Sequence, residues 1–199
     1  MTLNCANCLW RGLISLLFLA VSACETPVEH REFSKITFSH LPPFLLDVAA
    51  IDVIVVYEPS LQTPNVEYEF PVPPLMAAKQ WAADRLQTVG VSGRVVVTII
   101  DASVVEVALK KSTGLKRLFT TDQSERYDAR IWLTVEVNDL SRQLKSRAEA
   151  EATRSLTVAE NITLSTREKA WFSLTESLMT DFDSAMEEQI RKHLVEFLK

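Results

Sequence analysis

Apolar residues recur along this chain with two different periods, and the switches between them mark out the elements. In residues 45–57, LLDVAAIDVIVVY, Ile51, Val53, Val55 and Tyr57 share one side at period two, and Ile54 and Val56 share the other. Alternation among β-branched residues predicts a strand, partly buried on both faces. Pro59, Pro64, Pro71, Pro73 and Pro74 then remove backbone donors and fix extended geometry, so 59–74 reads as an ordered loop. Proline is also at home in the first turn of a helix, where its missing donor would have no partner. From Leu75 the period lengthens. Ala78, Trp81, Ala82, Leu86 and Val89 recur at steps of three and four before Gly90, which predicts an amphipathic helix over 75–89 with Trp81 in the core.

Three strand candidates follow. Residues 94–109, RVVVTIIDASVVEVAL, are β-branched with an interruption at Asp101-Ala102-Ser103, where a bulge or bend is expected. In 127–138 the alternation is clean. Tyr127, Ala129, Ile131, Leu133, Val135 and Val137 face one way, and Asp128, Arg130, Trp132, Thr134, Glu136 and Asn138 face the other, wet side. Residues 147–158 carry two signals. Ala and Glu favour helix, whereas alternation of Ala148, Ala150 and Ala152 against Arg147, Glu149, Glu151 and Thr153 favours a strand closing a hairpin. A strand is the expectation.

The last element starts at Ser165-Thr166-Arg167-Glu168, the pattern of a capping box, and nothing breaks the helix to Lys199. Trp171, Leu174, Leu178, Phe182 and Ala185 form one stripe, but beyond Met186 the apolar line moves round to Ile190, Leu194 and Phe197. A helix over 165–199 would be about 50 Å long, in a domain only about 40 Å across. Either it bends between Thr180 and Met186, or its last dozen residues leave the sheet and present a second apolar face. Ile190, Leu194 and Phe197 are accordingly the expected docking surface for a partner.

The chain begins differently. An apolar run over 13–21 follows Arg11 and ends in Val21-Ser22-Ala23-Cys24, after which ETPVEHREFS, 25–34, is polar and without period. The run is too short to span a membrane and has the three parts of a secretion signal. Its four last residues resemble the lipobox of bacterial lipoproteins. That resemblance implies that the Cys24 thiol receives diacylglycerol, that the leader 1–23 is removed, and that the new amine is acylated. Residues 24–34 then form a lipidated tether and 35–199 an α+β periplasmic domain. The Cys5-x-x-Cys8 pair, which could suggest redox chemistry, falls in the discarded leader.

Composition narrows the chemistry. With Cys24 as the only cysteine after the leader, no internal disulfide can form, and stability must come from a core that a 47% hydrophobic chain can supply. A formal charge of −5 argues against a nucleic-acid partner, which needs a clustered cationic face. His30, His40 and His193 have no metal-ligand spacing, and no glycine-rich phosphate loop or nucleophile elbow is present. No metal, cofactor or catalytic residue is therefore expected. Two features remain as candidate contacts. One is the cationic stretch between two strands, with Lys110, Lys116 and Arg117, suited to anionic headgroups or a protein partner. The other is Trp132, an aromatic residue on the polar side of its strand.

The order strand, helix, three strands, long helix predicts one two-layer α+β domain, an antiparallel or mixed four-stranded sheet with two helices on one face. This order behind a lipobox resembles lipopolysaccharide-assembly lipoproteins and the auxiliary lipoproteins of ABC-type lipid transporters. The resemblance implies a non-enzymatic subunit of an envelope complex at the outer membrane. A carrier or sensor of a lipid or small apolar ligand is the alternative.

Overall fold

A computed structural model describes residues 33–109, 123–159 and 161–199. In chain order the elements are β1 (Phe44–Leu46), β2 (Ala50–Val55), α1 (Pro74–Arg85), β3 (Leu86–Thr88), β4 (Arg94–Asp101), β5 (Val104–Ala108), β6 (Gln123–Asp139), β7 (Leu144–Ala159) and α2 (Leu164–His193), with single 3-10 turns at Glu67–Glu69 and Val195–Phe197. The spine of the sheet is β6. Along one side it pairs antiparallel with β7 from end to end, and along the other with β4 and then β5. Asp101-Ala102-Ser103 is where β4 gives way to β5, and the register shifts between Ile99 and Asp101, so the expected bend lies there. β2 lies parallel to β4, reached through α1 as the crossover. The result is an α+β domain with an open mixed sheet.

One face of that sheet makes the core. Val95, Val97 and Ile99 of β4, Ile131, Leu133, Val135 and Val137 of β6, and Ala148, Ala150 and Ala152 of β7 are all buried. The three alanines carry no side chain beyond Cβ, which lets α2 lie close over β7. Both helices share this face, and Trp81 of α1 meets Phe182 of α2 edge-on at 5.1 Å between ring centroids. Trp171 stacks on Phe70 of the proline-rich loop at 5.0 Å and meets Tyr127 edge-on at 5.5 Å. The helix–sheet space is thus filled by aromatic rings and by Leu178, Met179 and Met186, all fully buried.

The structure corrects several boundaries. The stretch 45–57 is two strands, broken at Asp47–Ala49, because β1 pairs parallel with β3 whereas β2 pairs with β4. Just past the β1–β3 pair, Val89 N–H donates to Leu46 O and Gly90 N–H to Val48 O. A Cβ on Gly90 would collide with the Asp47 carbonyl carbon and the Val48 amide, so the approach requires glycine. Helix α1 starts with Pro74 in its first turn but stops at Arg85, since Leu86 turns extended to pair with Phe44. Val89, expected on its apolar stripe, is exposed. The cap of α2 is Thr163, whose hydroxyl accepts from Thr166 N–H at 3.2 Å, rather than Ser165. Residues 147–158 are strand, within β7.

At its other end α2 stops at His193, with Arg191, Lys192 and His193 beside the exposed carbonyls, where cations are favourable. The chain then turns through Val195–Phe197 and runs back along β1. Phe197 O accepts from Asp47 N–H at 2.8 Å, Lys199 N–H donates to Leu45 O at 3.0 Å, and Leu198 bridges Leu46. The domain also begins earlier than expected, since Phe33 packs on Phe172 at 5.4 Å and Ile36 and Phe38 are buried.

Candidate functional site

Among the described residues no helix lies on the second face of the sheet, and its side chains fall in rows set by the register. Ile54, Thr98, Thr134 and Glu149 make one row across β2, β4, β6 and β7, and Asp52, Val96, Glu136 and Arg147 the next. The β2 end is apolar, with Ile54 and the adjoining Val56 exposed. The β7 end is a ladder of charge. Arg130 lies between Asp101 at 2.9 Å and Glu151 at 2.8 Å, and Arg147 between Glu136 at 3.2 Å and Glu149 at 2.8 Å. The hydrogen bond from Arg130 holds Glu151 below the ordinary carboxylate range, and Glu151 in turn raises Arg130.

Trp132 sits at the seam between these halves. It is half-buried, donates its indole N–H to Glu149 Oε1 at 2.7 Å, and carries the Arg130 guanidinium 5.2 Å from its ring centroid. Its neighbours thus fix its orientation while part of the ring stays accessible. An amphiphilic face with a fixed aromatic residue suits recognition of another surface; further along it, the Ser155 hydroxyl donates to Asp128 Oδ1 at 2.6 Å. Among the described residues no three His, Cys, Asp or Glu side chains converge to hold a metal ion.

The other expected contacts fare differently. Ile190, Leu194 and Phe197 are fully buried, so they are not a docking surface. The line that has rotated after Met186 is buried all the same, Leu194 ending the helix and Phe197 lying in the tail that runs back along β1. Phe197 is closed over by Arg142, whose guanidinium lies 5.3 Å from its ring centroid. Lys110, Lys116, Arg117 and Cys24 lie outside the described residues.

Two polar clusters escaped the sequence reading. Arg85, only 1% exposed, donates to Asp183 Oδ1 at 2.8 Å, to Glu187 Oε2 at 2.7 Å and to Pro42 O, and lies over the Phe44 ring at 4.4 Å. Trp81 donates to the same Asp183 oxygen at 2.8 Å, so the cluster locks α1 to α2. Its signal was present in the pattern: Arg85 follows Trp81 by four residues, and Asp183 follows Met179 by four and precedes Met186 by three, which places both on buried sides of their helices. At the β6–β7 turn, Asp139 accepts from Ser141, Arg142 and Ser92, and those bonds, Ser141 first, hold its carboxyl far below the ordinary range. Arg142 also reaches Asp47 at 3.0 Å, and Lys199 reaches it at 3.2 Å, with the Lys199 bond the main cause of the lowered Asp47.

Two grooves flank the segment that leads into the domain. One of about 440 Å³ runs between Lys35–Leu41 and the Glu176–Ser184 side of α2. Another of about 300 Å³ is lined by Phe33, Ile36, Pro71, Val72, Met76 and Ala77 among others. Among the described residues no helix is long and apolar enough to cross a membrane.

No family model and no curated protein matches the chain. Among solved structures, the crystal structure of protein XCC0632 from Xanthomonas campestris, of family DUF330, aligns over 77% of this chain and 90% of that chain, with 5% identity and a TM-score of 0.34. At that identity and score the likeness bears on neither chemistry nor partners.

Proposed function

We propose that this chain is a non-enzymatic, membrane-anchored lipoprotein of the periplasm and serves as an accessory or assembly subunit of a cell-envelope complex at the outer membrane. The observation that carries this reading is the junction at Cys24. A short apolar run ends in small residues and a cysteine, and a polar segment follows up to Phe33, where the domain begins. Residues 24–32 are then the tether, reaching at most roughly 30 Å when stretched. Two or three acyl chains hold a protein stably, where one holds it marginally. The bare sheet face with Trp132 is the surface offered to a partner, together with Lys110, Lys116 and Arg117 between β5 and β6.

Growth in labelled palmitate is expected to label the protein and leave it in the membrane fraction, and Cys24→Ala is expected to abolish both. An unlabelled, soluble parent chain refutes the anchor. A photoreactive residue at Trp132 is expected to cross-link an envelope protein in cells, and cross-linking indistinguishable from that at an exposed control site refutes the surface. The second reading, a carrier of a lipid or small apolar ligand, is favoured by the apolar groove beside Phe33 and Met76. It predicts a co-purifying ligand in native mass spectra, removed when Met76→Glu charges the groove.

A further inference from the structure

Along the β2 side of the sheet the chain closes most of its own edge. β1 is covered where Leu46 bridges Leu198, and β5 where Asn65 bridges Val105. Between these closures β2 pairs only with β4 among the described residues. The parallel register, with Val56 N–H donating to Ile99 O at 2.9 Å, fixes which groups that pairing uses. Asp52, Ile54 and Val56 turn their amides and carbonyls toward β4, so Ile51, Val53 and Val55 turn theirs outward.

Edge strands are normally guarded by charges, prolines or bulges. β7, at the opposite edge, obeys this, with Lys145, Arg147, Glu149 and Glu151 on alternate positions. β2 does not. Its sequence AIDVIV has one charge, and Val53, Ile54, Val55 and the adjoining Val56 are 43, 48, 37 and 60% exposed. That one charge, Asp52, is already engaged by Arg94 of the same chain. The gap is one strand long, about 20 Å for six residues, partly covered at Ala50–Asp52 and exposed from Val53 to Val55.

We propose that β2 pairs antiparallel with β2 of a second copy of this chain, about a two-fold axis at Val53, so that two sheets become one. A two-fold contact must match itself, and this strand does. Val53 meets its copy and Ile51 meets Val55, so all outward amides and carbonyls of these three residues are satisfied. No free charge is brought to the seam, and apolar side chains meet on the helix side of the joined sheet. The pairing is independent of the proposed function and needs no lipid anchor.

The contact is smaller than the roughly 800 Å² per partner of a standard interface. Sedimentation velocity of the full chain in detergent is therefore expected to show a monomer–dimer equilibrium that shifts with protein concentration. Val53→Pro removes an outward amide and no bond to β4, and is expected to sediment as monomer throughout with an unchanged circular dichroism spectrum. Val53→Cys is expected to give a disulfide-linked dimer on mild oxidation, since facing Cα atoms in such a pair lie about 5.5 Å apart, within disulfide reach. Val55→Cys, its copies roughly 13 Å apart along the seam, is not, and the unsubstituted chain reports any link through its own cysteines. Equal cross-linking at 53 and 55, or a parent chain monomeric at every concentration, overturns the proposal. A different protein captured by the monomeric parent and lost in Val53→Pro also overturns it, in favour of a foreign strand.

Discussion

Phe197→Ala tests whether the second apolar line of α2 and its tail is core or surface. Phe197 is fully buried under Arg142, and its backbone carbonyl is bonded to Asp47. Truncating a core phenylalanine costs about 3–5 kcal/mol through lost burial and the cavity left behind. Loss of the ring under the guanidinium adds about 0.5–1 kcal/mol. Arg142 itself stays tied to Asp139 and Asp47, so no charge is left unpaired. A total near 4 kcal/mol, at about 2–4 °C per kcal/mol for a domain of this size, is a fall in Tm of about 8–16 °C. Urea unfolding followed by tryptophan fluorescence reports it through the buried Trp81 and Trp171, with the midpoint lower by about 2 M for a slope near 2 kcal/mol/M, the slope unchanged. Val195→Ala, in the same turn but 62% exposed, is the control and is expected within about 0.5 kcal/mol of the parent. If the two variants unfold together, the tail is not packed as described and the exposed-face expectation returns.

Other outcomes follow from the same geometry. Arg85→Met removes the cation between Asp183 and Glu187 and leaves a nearly buried carboxylate uncompensated, which is expected to cost about 3–5 kcal/mol in urea unfolding; a cost below about 1 kcal/mol would show that the cluster does not hold α1 to α2. Gly90→Ala is expected to lower Tm sharply, since its Cβ meets the Asp47 and Val48 backbone, whereas the exposed Val91→Ala is not; equal Tm values refute the close approach. Asp139, Asp47, Asp128 and Asp181 are held below the ordinary 3.8, so the unfolded chain binds protons first. Their stabilisation is present above about pH 5 and lost as pH falls through the depressed native values, and Asp139→Asn is expected to flatten the fall in urea midpoint between pH 5 and 3. Glu106 has the opposite sign: burial first, then Glu125, raise it, so Glu106→Gln is expected to raise Tm at pH 7 and to lose that advantage toward pH 4.

Local pattern carried most of the sheet and both helices. Alternation in 127–138 separated the two faces of β6 because one face is covered and the other open, although Thr134 on the open side is itself buried, and the alternating alanines of 147–158 outweighed their helix propensity because β6 offered a partner along their whole length. Trp132 was legible as an aromatic residue on the wet side, though not its clasp by Arg130 and Glu149, whose carboxylate comes from the neighbouring strand. The breaks at Asp47–Ala49 and Arg85–Leu86 were not legible. Each is set by the β1–β3 pairing, a contact between residues some forty positions apart, and no local period encodes it.

By itself the sequence determined which residues share a side: the strand faces, the two stripes of α2, the proline-stiffened loop and the abrupt junction at Cys24. What lies against each side depended on the folded chain. It buried Ile190, Leu194 and Phe197 within the chain's own fold, left Ile54 and Val56 in the open, and set Arg85 among carboxylates about a hundred residues away. The reason is physical: periodicity follows from the backbone's own geometry, whereas burial depends on whichever distant segment gains most by covering that surface.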